Sequence, residues 1–323
     1  MKILFTRLIK SPLLELIPKE YEVVMWKEEN TVMPREELLK EVSDADAIFT
    51  NLTDQLDVEF FEHAKKLKIV STMAVGFDNI DVNEATRRGI PVGHTPDVLS
   101  DAVAELALTL MFACARRVVE SMQFIKEGKW NSWGPYLFAG QKISGAKLGI
   151  IGMGRIGKIL AKQAIALNME VLYSNRRQNP EIEEELNVEY RELEKLLKES
   201  DYVVMLAPAS SETYHMMGYE QFSLMKPTSI FVNVSRGTTV DEEGLYRILS
   251  ENKIFAAGLD VFEAEPIDKN HPLLSLENVI AVPHIGSATN ETRDKMVEIA
   301  VLNILNGLQG KRLLHTVNEE VYL

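Results

Sequence analysis

The fold of this chain is decided by ten residues, LGIIGMGRIG, at positions 148–157. The apolar run 148–151 predicts a strand, and the segment 155–168 has apolar residues at helical spacing. Between them, Gly152 permits a tight turn, Gly154 lets the backbone approach a pyrophosphate, and Gly157 lets the helix pack close to the strand. A GxGxxG motif alone also occurs in flexible loops, but the strand before it and the helix after it predict a dinucleotide-binding site.

Short apolar runs alternate with amphipathic segments along the whole chain, which predicts an α/β fold with parallel sheets. The first five strands are predicted at residues 3–6, 23–26, 47–50, 69–73 and 91–94. Six more strands, which would complete a dinucleotide-binding sheet, are predicted at 148–151, 170–173, 202–206, 230–234, 255–259 and 279–282. The longest helix is predicted at 101–126, with Ser100 as its N-cap. Another is predicted at 290–308, where Asn303 interrupts an apolar stripe, and the pattern does not assign it to either sheet.

Composition is typical of a globular protein. The chain has 323 residues, with 35 Lys and Arg against 48 Asp and Glu, a formal net charge of −13 and 46% hydrophobic residues. This length predicts two domains. The only cysteine, Cys114, cannot form an internal disulfide, which favours a reducing, cytoplasmic location. We expect no membrane or nucleic-acid partner, because signal-peptide and bilayer-spanning runs are absent and the chain is acidic with scattered basic residues.

The end of the second strand in the later series bears on the choice of nucleotide. NAD-binding folds usually place an Asp or Glu there to accept hydrogen bonds from the ribose. Here the sequence reads Ser174, Asn175, Arg176 and Arg177, without a carboxylate. Two guanidinium groups suit a 2′-phosphate, so NADP(H) is predicted as the preferred cofactor and NAD(H) as an accepted one. The alternative interpretation is a solvated basic turn.

Three consecutive strands of the later series are followed by polar residues, at the edge where open α/β sheets bind ligands. The first of these strands is followed by Arg236, the second by Asp260, Glu263 and Glu265, and the third by His284. Arg can hold a carboxylate through two hydrogen bonds, His can exchange a proton near neutral pH, and a carboxylate can orient the imidazole. Each residue alone is explained equally well as a salt bridge or a loop residue. Together they are the groups needed to reduce a 2-keto acid, and no metal-ligand spacing accompanies them.

With these motifs the chain resembles the D-isomer-specific 2-hydroxyacid dehydrogenases over nearly its whole length, and among them most closely the glyoxylate and hydroxypyruvate reductases, some of which also reduce 2-ketogluconate. The matching motifs lie at 152–157, 233–237, 260–266 and 283–289. The resemblance implies that Arg236 binds and polarises the keto acid and that His284 is the general acid. It also selects Glu265, which precedes Pro266, rather than Glu263 as the partner of His284. It also implies that the backbone N–H groups of Val75 and Gly76 bind the substrate carboxylate.

The resemblance further implies how the nucleotide is held and how the chain is divided. The implied cofactor-binding residues are Gly152, Gly154, Arg155, Ile156, Gly157, Ser174, Asn175, Arg176, Arg177, Pro208, Thr213, Val234, Asp260 and Gly286. Residues 1–98 and 288–323 are expected to form a flavodoxin-like substrate domain, and residues 99–287 a Rossmann domain, with the chemistry in the cleft between them. One departure is Val103, where relatives commonly carry Thr near the nicotinamide.

Family members are dimers, so the resemblance implies a homodimer. The helix that begins at Asp101 and the loop containing Trp130 and Trp133 would lie at the contact. The two tryptophans suit a subunit interface or a wall of the substrate site, and burial in the core is the alternative.

Two other functions stay open at this point. A phosphoglycerate dehydrogenase has the same fold, but it would require an acidic residue near Asn175 for NAD. A nucleotide-sensing protein like the corepressors called C-terminal binding proteins also shares the fold, and turnover is the observation that separates it from an enzyme.

Overall fold

The computed structural model describes all 323 residues and contains two parallel sheets. The chain divides into two compact units, Met1–Leu99 with Ala288–Leu323, and Ser100–Ser287. Each unit has its own sheet, so the α/β class predicted from the alternating pattern is confirmed. No helix combines the length and the apolar character that crossing a membrane would require.

The first unit is built on a five-stranded sheet of order β2-β1-β3-β4-β5, the flavodoxin-like order. Its strands are β1 (Lys2–Phe5), β2 (Glu22–Met25), β3 (Ala47–Thr50), β4 (Ile69–Thr72) and β5 (Val92–Gly93). The connecting helices are α1 (Arg35–Val42), α2 (Val58–His63) and α3 (Val82–Arg87). Along β1, Ile3 and Phe5 belong to one apolar cluster and Leu4 to another. Both faces of the sheet are therefore covered, which explains the nearly continuous apolar runs of its strands.

The second unit contains a seven-stranded sheet of order β12-β11-β10-β9-β6-β7-β8. Its strands are β6 (Lys147–Ile151), β7 (Glu170–Ser174), β8 (Glu189–Tyr190), β9 (Tyr202–Met205), β10 (Ile230–Asn233), β11 (Ala256–Leu259) and β12 (Val279–Ala281). Its helices are α4 (Ser100–Ala115), α5 (Val118–Lys126), α6 (Arg155–Ala166), α7 (Pro180–Leu186), α8 (Leu193–Glu199), α9 (Tyr219–Ser223) and α10 (Glu242–Ser250). The strand order reverses between β6 and β9, which is where doubly wound sheets bind ligands.

Three predictions about this unit are wrong. The sheet has seven strands rather than six, because the edge strand β8 spans only Glu189–Tyr190, too short to show a pattern. The single helix predicted at 101–126 is interrupted, since the carbonyl of Ala115 accepts the N–H of Gln141 at 2.9 Å and Arg117 adopts a left-handed φ of 50°. Ser100 is the first residue of α4 and not a residue preceding the helix.

The C-terminal helix α11 (Asn290–Leu308) covers the predicted residues and belongs to the first unit. Its 19 residues make it longer than α4, which has 16, so the prediction of the longest helix is wrong. Val297, Ala300 and Ile304 join the apolar cluster that contains Ile3 and Phe5. The apolar stripe therefore covers one face of the first sheet.

Candidate active site

His284 and Glu265 form a close pair at the edge of the second sheet. The Nδ1 atom of His284 lies 2.7 Å from Oε2 of Glu265, and Oε1 of the same carboxylate accepts the N–H of Phe262 at 3.0 Å. The two side chains are 27% and 26% exposed, so a small molecule can reach them. Because Nδ1 donates to the carboxylate, Nε2 is the ring nitrogen left to exchange a proton with a ligand.

The charge state of Glu265 suits this pairing. Burial raises its pKa, but the hydrogen bond and charge of His284, the N–H of Phe262 and the charge of Arg236 together bring the pKa below its ordinary value. Glu265 is therefore ionised at neutral pH, and a carboxylate at this distance stabilises a positive charge on the imidazole.

Asp260, at the end of β11, holds the turn that carries His284. Its carboxylate is 1% exposed and accepts the N–H groups of Ile285 at 2.6 Å and Gly286 at 2.9 Å, while its carbonyl accepts the N–H of His284 at 2.9 Å. Burial raises the pKa of Asp260 to about 6, although the two N–H groups and His284 act to lower it. His284 has a φ of 52°, which non-glycine residues seldom adopt. These hydrogen bonds stabilise that backbone conformation and fix the position of the Cα atom from which the imidazole side chain extends.

Arg236 lies in the loop that follows β10. The side chain of Asn233 donates to the carbonyl of Arg236 at 3.0 Å, which shapes the loop. At the next position, a Cβ atom on Gly237 would lie 1.8 Å from the carbonyl carbon of Phe262, so only glycine fits there. The loop thus packs directly against the segment that carries Glu265, and the charge of Arg236 helps to lower the pKa of that carboxyl.

A cavity of about 790 Å³ opens where the strand order reverses, within the size range of small-molecule sites. Eight of the predicted cofactor-binding residues line it: Gly152, Gly154, Ser174, Asn175, Arg176, Arg177, Pro208 and Thr213. The remaining six do not line it: Arg155, Ile156, Gly157, Val234, Asp260 and Gly286. Val103 is buried in α4. Its Cγ2 lies 3.3 Å from the position that a Cβ atom on Gly286 would occupy, so the two residues are neighbours.

The glycine loop in this cavity fits a pyrophosphate. Gly152 has a φ of 102°, and a Cβ atom there would lie 2.6 Å from the backbone nitrogen of Ala207. A Cβ atom on Gly154 would meet no atom within 4 Å, so the space above that residue is open. Gly154 is also the N-cap of α6, and no side chain caps this helix. Open N–H groups at a helix N-terminus attract an anion, as a dinucleotide requires.

The turn after β7 contains a contact that the sequence did not indicate. Asn175 accepts the N–H of Met153 at 2.7 Å, which ties the turn to the glycine loop. Nη1 of Arg176 lies 3.2 Å from Oε2 of Glu212, another cavity-lining residue, and these side chains are 86% and 63% exposed. Arg177 is also exposed. A carboxylate is therefore present beside this basic turn, but it comes from the loop after β9 and not from the end of β7.

The loop after β4 in the first unit contains Val75 and Gly76, the predicted carboxylate-binding residues. Val75 is 38% exposed, whereas the preceding Ala74 is buried. At the far end of the loop, Nδ2 of Asn79 donates to the carbonyls of Asn51 at 2.9 Å and Asp54 at 2.6 Å. The loop is thus anchored to the carboxyl end of its own sheet.

Trp130 and Trp133 are 58% and 77% exposed. Burial in the core, the alternative interpretation of these residues, is therefore wrong. The preceding helix α5 also exposes four apolar side chains, those of Val118, Val119, Met122 and Ile125. No group of three or more His, Cys, Asp or Glu side chains comes together in a way that could hold a metal ion.

The family described as D-isomer specific 2-hydroxyacid dehydrogenase, NAD binding domain, matches residues 108–286. This chain belongs to that family. It is an oxidoreductase, and its Ser100–Ser287 unit, which contains all of the matched residues, is a Rossmann domain for a pyridine nucleotide. The predicted resemblance is confirmed.

Relatives in this family are similar over the full chain. The glyoxylate reductase of Thermococcus gammatolerans is 47% identical over 99% of this chain and 96% of its own length. The crystal structure of the TT0316 protein from Thermus thermophilus matches with a TM-score of 0.92 and 39% identity, over 98% of this chain and all of that one. An NADPH-dependent glyoxylate/hydroxypyruvate reductase from Sinorhizobium meliloti, in complex with NADP and malonate, matches with a TM-score of 0.84 and 30% identity, over 99% of this chain and 97% of that one.

Proposed function

We propose that this dehydrogenase reduces small 2-keto acids of the glyoxylate and hydroxypyruvate type to D-2-hydroxy acids, with 2-ketogluconate as a further candidate substrate. The observation that carries the proposal is the 2.7 Å pair of His284 and Glu265, with Arg236 in the neighbouring loop. The names of the relatives support the substrate class. The chain would therefore combine a proton donor and a substrate-binding cation at one sheet edge.

Each residue of the site has a distinct task in this reaction. When bound, the nicotinamide nucleotide supplies a hydride to the keto carbon. The guanidinium of Arg236 binds the substrate and polarises its keto oxygen, and the N–H groups of Val75 and Gly76 hold its carboxylate. His284 gives the proton on Nε2 to the oxygen as negative charge develops there. Glu265, ionised and held by Phe262, keeps the imidazole oriented and stabilises its positive form.

NADPH is the proposed preferred donor. The turn at residues 174–177 carries two exposed guanidinium groups and no carboxylate of its own. A 2′-phosphate gains charge-assisted hydrogen bonds from such groups. Glu212, paired with Arg176, opposes this preference because its negative charge offsets that of one guanidinium. We therefore expect a moderate preference, with NADH as a working substitute.

The proposed assembly is a homodimer that buries the exposed apolar residues of α5 and the loop of Trp130 and Trp133. Exposed aromatic and aliphatic side chains clustered in sequence are typical of such contacts.

The two units keep their proposed roles, with Ser100–Ser287 for the nucleotide and the other unit for the substrate. The reducing, cytoplasmic location stays a prediction. Burial raises the pKa of the Cys114 thiol to about 12, so the thiol is protonated and unreactive at neutral pH.

The deciding experiment follows nicotinamide absorbance with glyoxylate, hydroxypyruvate, 2-ketogluconate and 3-phosphohydroxypyruvate, each with NADPH and NADH. We expect turnover of the first two, faster with NADPH, and a D configuration in any chiral product. A clear preference for 3-phosphohydroxypyruvate with NADH would instead identify a phosphoglycerate dehydrogenase. Nucleotide binding without turnover of any keto acid would indicate a sensing protein.

A further inference from the structure

Two neighbouring peptide groups in the loop after β4 are held by the residues that follow β5. The carbonyl of Ala74 accepts the backbone N–H of Thr95 at 2.8 Å. The carbonyl of Val75 lies 3.1 Å from Nδ1 of His94. A carbonyl oxygen can only accept, so Nδ1 of His94 carries the proton in this contact.

These two contacts determine the direction of the N–H groups of Val75 and Gly76. In a trans peptide the carbonyl and the N–H lie in one plane and point in opposite directions. Holding the carbonyl of Ala74 therefore directs the N–H of Val75, and holding the carbonyl of Val75 directs the N–H of Gly76. Neither N–H has a hydrogen-bond acceptor within its own unit. Both are available to a ligand.

His94 is itself held firmly by the C-terminal part of the chain. Its N–H donates to the carbonyl of His315 at 3.3 Å, and its carbonyl accepts Nδ2 of Asn303 at 3.2 Å. Asn303 is fully buried, and its Oδ1 accepts the N–H groups of Leu314 at 2.9 Å and His315 at 3.3 Å. The polar residue in the apolar stripe of α11 thus joins the C-terminal segment to the residue after β5.

The ring of His94 is fixed as well as its backbone. It makes edge-to-face contacts with Phe77, at 6.0 Å between centroids, and with His315, at 6.4 Å. Burial lowers the pKa of His94, the carbonyl of Val75 acts to raise it, and His315 lowers it further. The ring is therefore neutral at neutral pH, with its single proton on the nitrogen that faces Val75.

We propose that His94 is a positioning residue for the substrate carboxylate, acting through the peptide between Val75 and Gly76. This inference rests on the proposed function, which assigns the carboxylate to those N–H groups. His94 does not touch the substrate; it orients one of the two donors. The other donor is set by a backbone bond from Thr95, which a change of side chain does not remove. Loss of the His94 contact should therefore weaken carboxylate binding without abolishing it.

The test compares His94→Leu with His94→Asn. Leucine fills much of the space of the ring but cannot donate, whereas the amide nitrogen of asparagine is as many bonds from Cβ as Nδ1 and can still donate to Val75. The matched control is His63→Leu, since Nδ1 of the exposed His63 also lies near a backbone carbonyl, that of Glu59 at 2.9 Å, but at the end of α2. Measurements are KM and kcat for glyoxylate at saturating NADPH, the dissociation constants of NADPH and of oxalate, and Tm.

For His94→Leu we expect KM for glyoxylate and the dissociation constant of oxalate to rise roughly 10- to 100-fold, the range for one hydrogen bond to a charged group. The kcat and the NADPH dissociation constant should change by less than about threefold. An interaction that is equally strong in the ground state and in the transition state affects KM but not kcat. His94→Asn should recover most of the KM, and His63→Leu should match the parent.

Three results would overturn the inference while the parent enzyme still reduces glyoxylate. One is an unchanged KM in His94→Leu. Another is an equal rise of KM in the leucine and asparagine variants, which would assign the effect to ring packing. The third is a parallel loss of kcat, NADPH affinity and Tm, which indicates a structural role only. A parent that reduces no 2-keto acid would instead contradict the proposed function.

Discussion

The carboxylate of Glu265 bridges the ring of His284, at 2.7 Å from Nδ1, and the backbone N–H of Phe262, at 3.0 Å. One oxygen is fixed by the main chain, so the other provides a fixed acceptor for the imidazole. The backbone of His284 is held independently by Asp260. The orientation of Nε2 is thus determined from both ends of the residue, which is the preorganisation that proton transfer requires.

Glu265→Gln should lower kcat/KM for glyoxylate over the whole pH range in which the parent carboxyl is ionised. Burial raises the pKa of Glu265, but the hydrogen bond and charge of His284 hold it below its ordinary value, so the carboxylate is present at pH 5 and above. Glutamine replaces its charge-assisted hydrogen bond to the imidazole by a weaker, neutral one. The measurement is kcat/KM for glyoxylate between pH 5 and pH 9. Glu263→Gln is the control, since Glu263 lies 3.0 Å from Nε2 of His215 instead. Identical profiles for the parent and Glu265→Gln would contradict the assignment.

His284→Ala should lower the rate of reduction by roughly 10² to 10⁴, the range for loss of a general acid. The NADPH dissociation constant, measured by fluorescence, should stay close to that of the parent because the nucleotide cavity lies on other residues. His271→Ala, which removes a histidine 3.2 Å from Glu242, serves as the control. Near-normal turnover in His284→Ala would show that the proton comes from elsewhere.

Arg236→Ala should raise KM for glyoxylate and lower kcat, because the guanidinium both binds the substrate and polarises its keto oxygen. Arg236→Lys should restore part of the binding, since it returns the charge but not the two-pronged geometry. Steady-state kinetics at saturating NADPH measure both constants. If the lysine and alanine variants are equally impaired in KM, charge at this position does not contribute to binding.

Replacing Arg176 and Arg177 together by Ala should weaken NADPH binding by roughly tenfold and NADH binding much less, since exposed charge-assisted contacts lie at the low end of their range. Added salt should weaken NADPH binding more in the parent than in the double variant. Glu212→Gln should act in the opposite direction and strengthen NADPH binding, because it releases Arg176 from its 3.2 Å partner. Equal affinities for both nucleotides in all three proteins would identify the turn as solvated surface.

Trp133→Asp should weaken the proposed dimer, because it places a charge where an exposed apolar side chain would be buried. Light scattering across a dilution series measures the oligomeric state, and Tyr214→Asp, at an exposed aromatic residue outside the α5 region, is the control. A parent protein that is monomeric at full activity would rule out the dimer.

Several features of this protein were determined by the sequence alone, because they depend on local pattern. The glycine loop at 152–157 lies between an apolar strand and an amphipathic helix, and local backbone preferences are enough to predict this strand, loop and helix. Arg236, Glu265 and His284 could be grouped because parallel strands bring their carboxyl ends to one edge. The bounds of α11 also followed from sequence, because its apolar residues recur at helical spacing.

Only the tertiary structure decided the features that join distant parts of the chain. The break after α4 depends on Gln141, the charge beside Arg176 comes from Glu212, and the role of Asn303 depends on its contact with His94. The spacing of apolar residues in the sequence indicates whether a residue faces a hydrophobic core. It does not indicate which core the residue joins or which residue it contacts there. Those pairings follow from the order of the strands and the packing of the helices, so residues that look isolated in sequence, such as His94, acquire their partners only when the sheet is assembled.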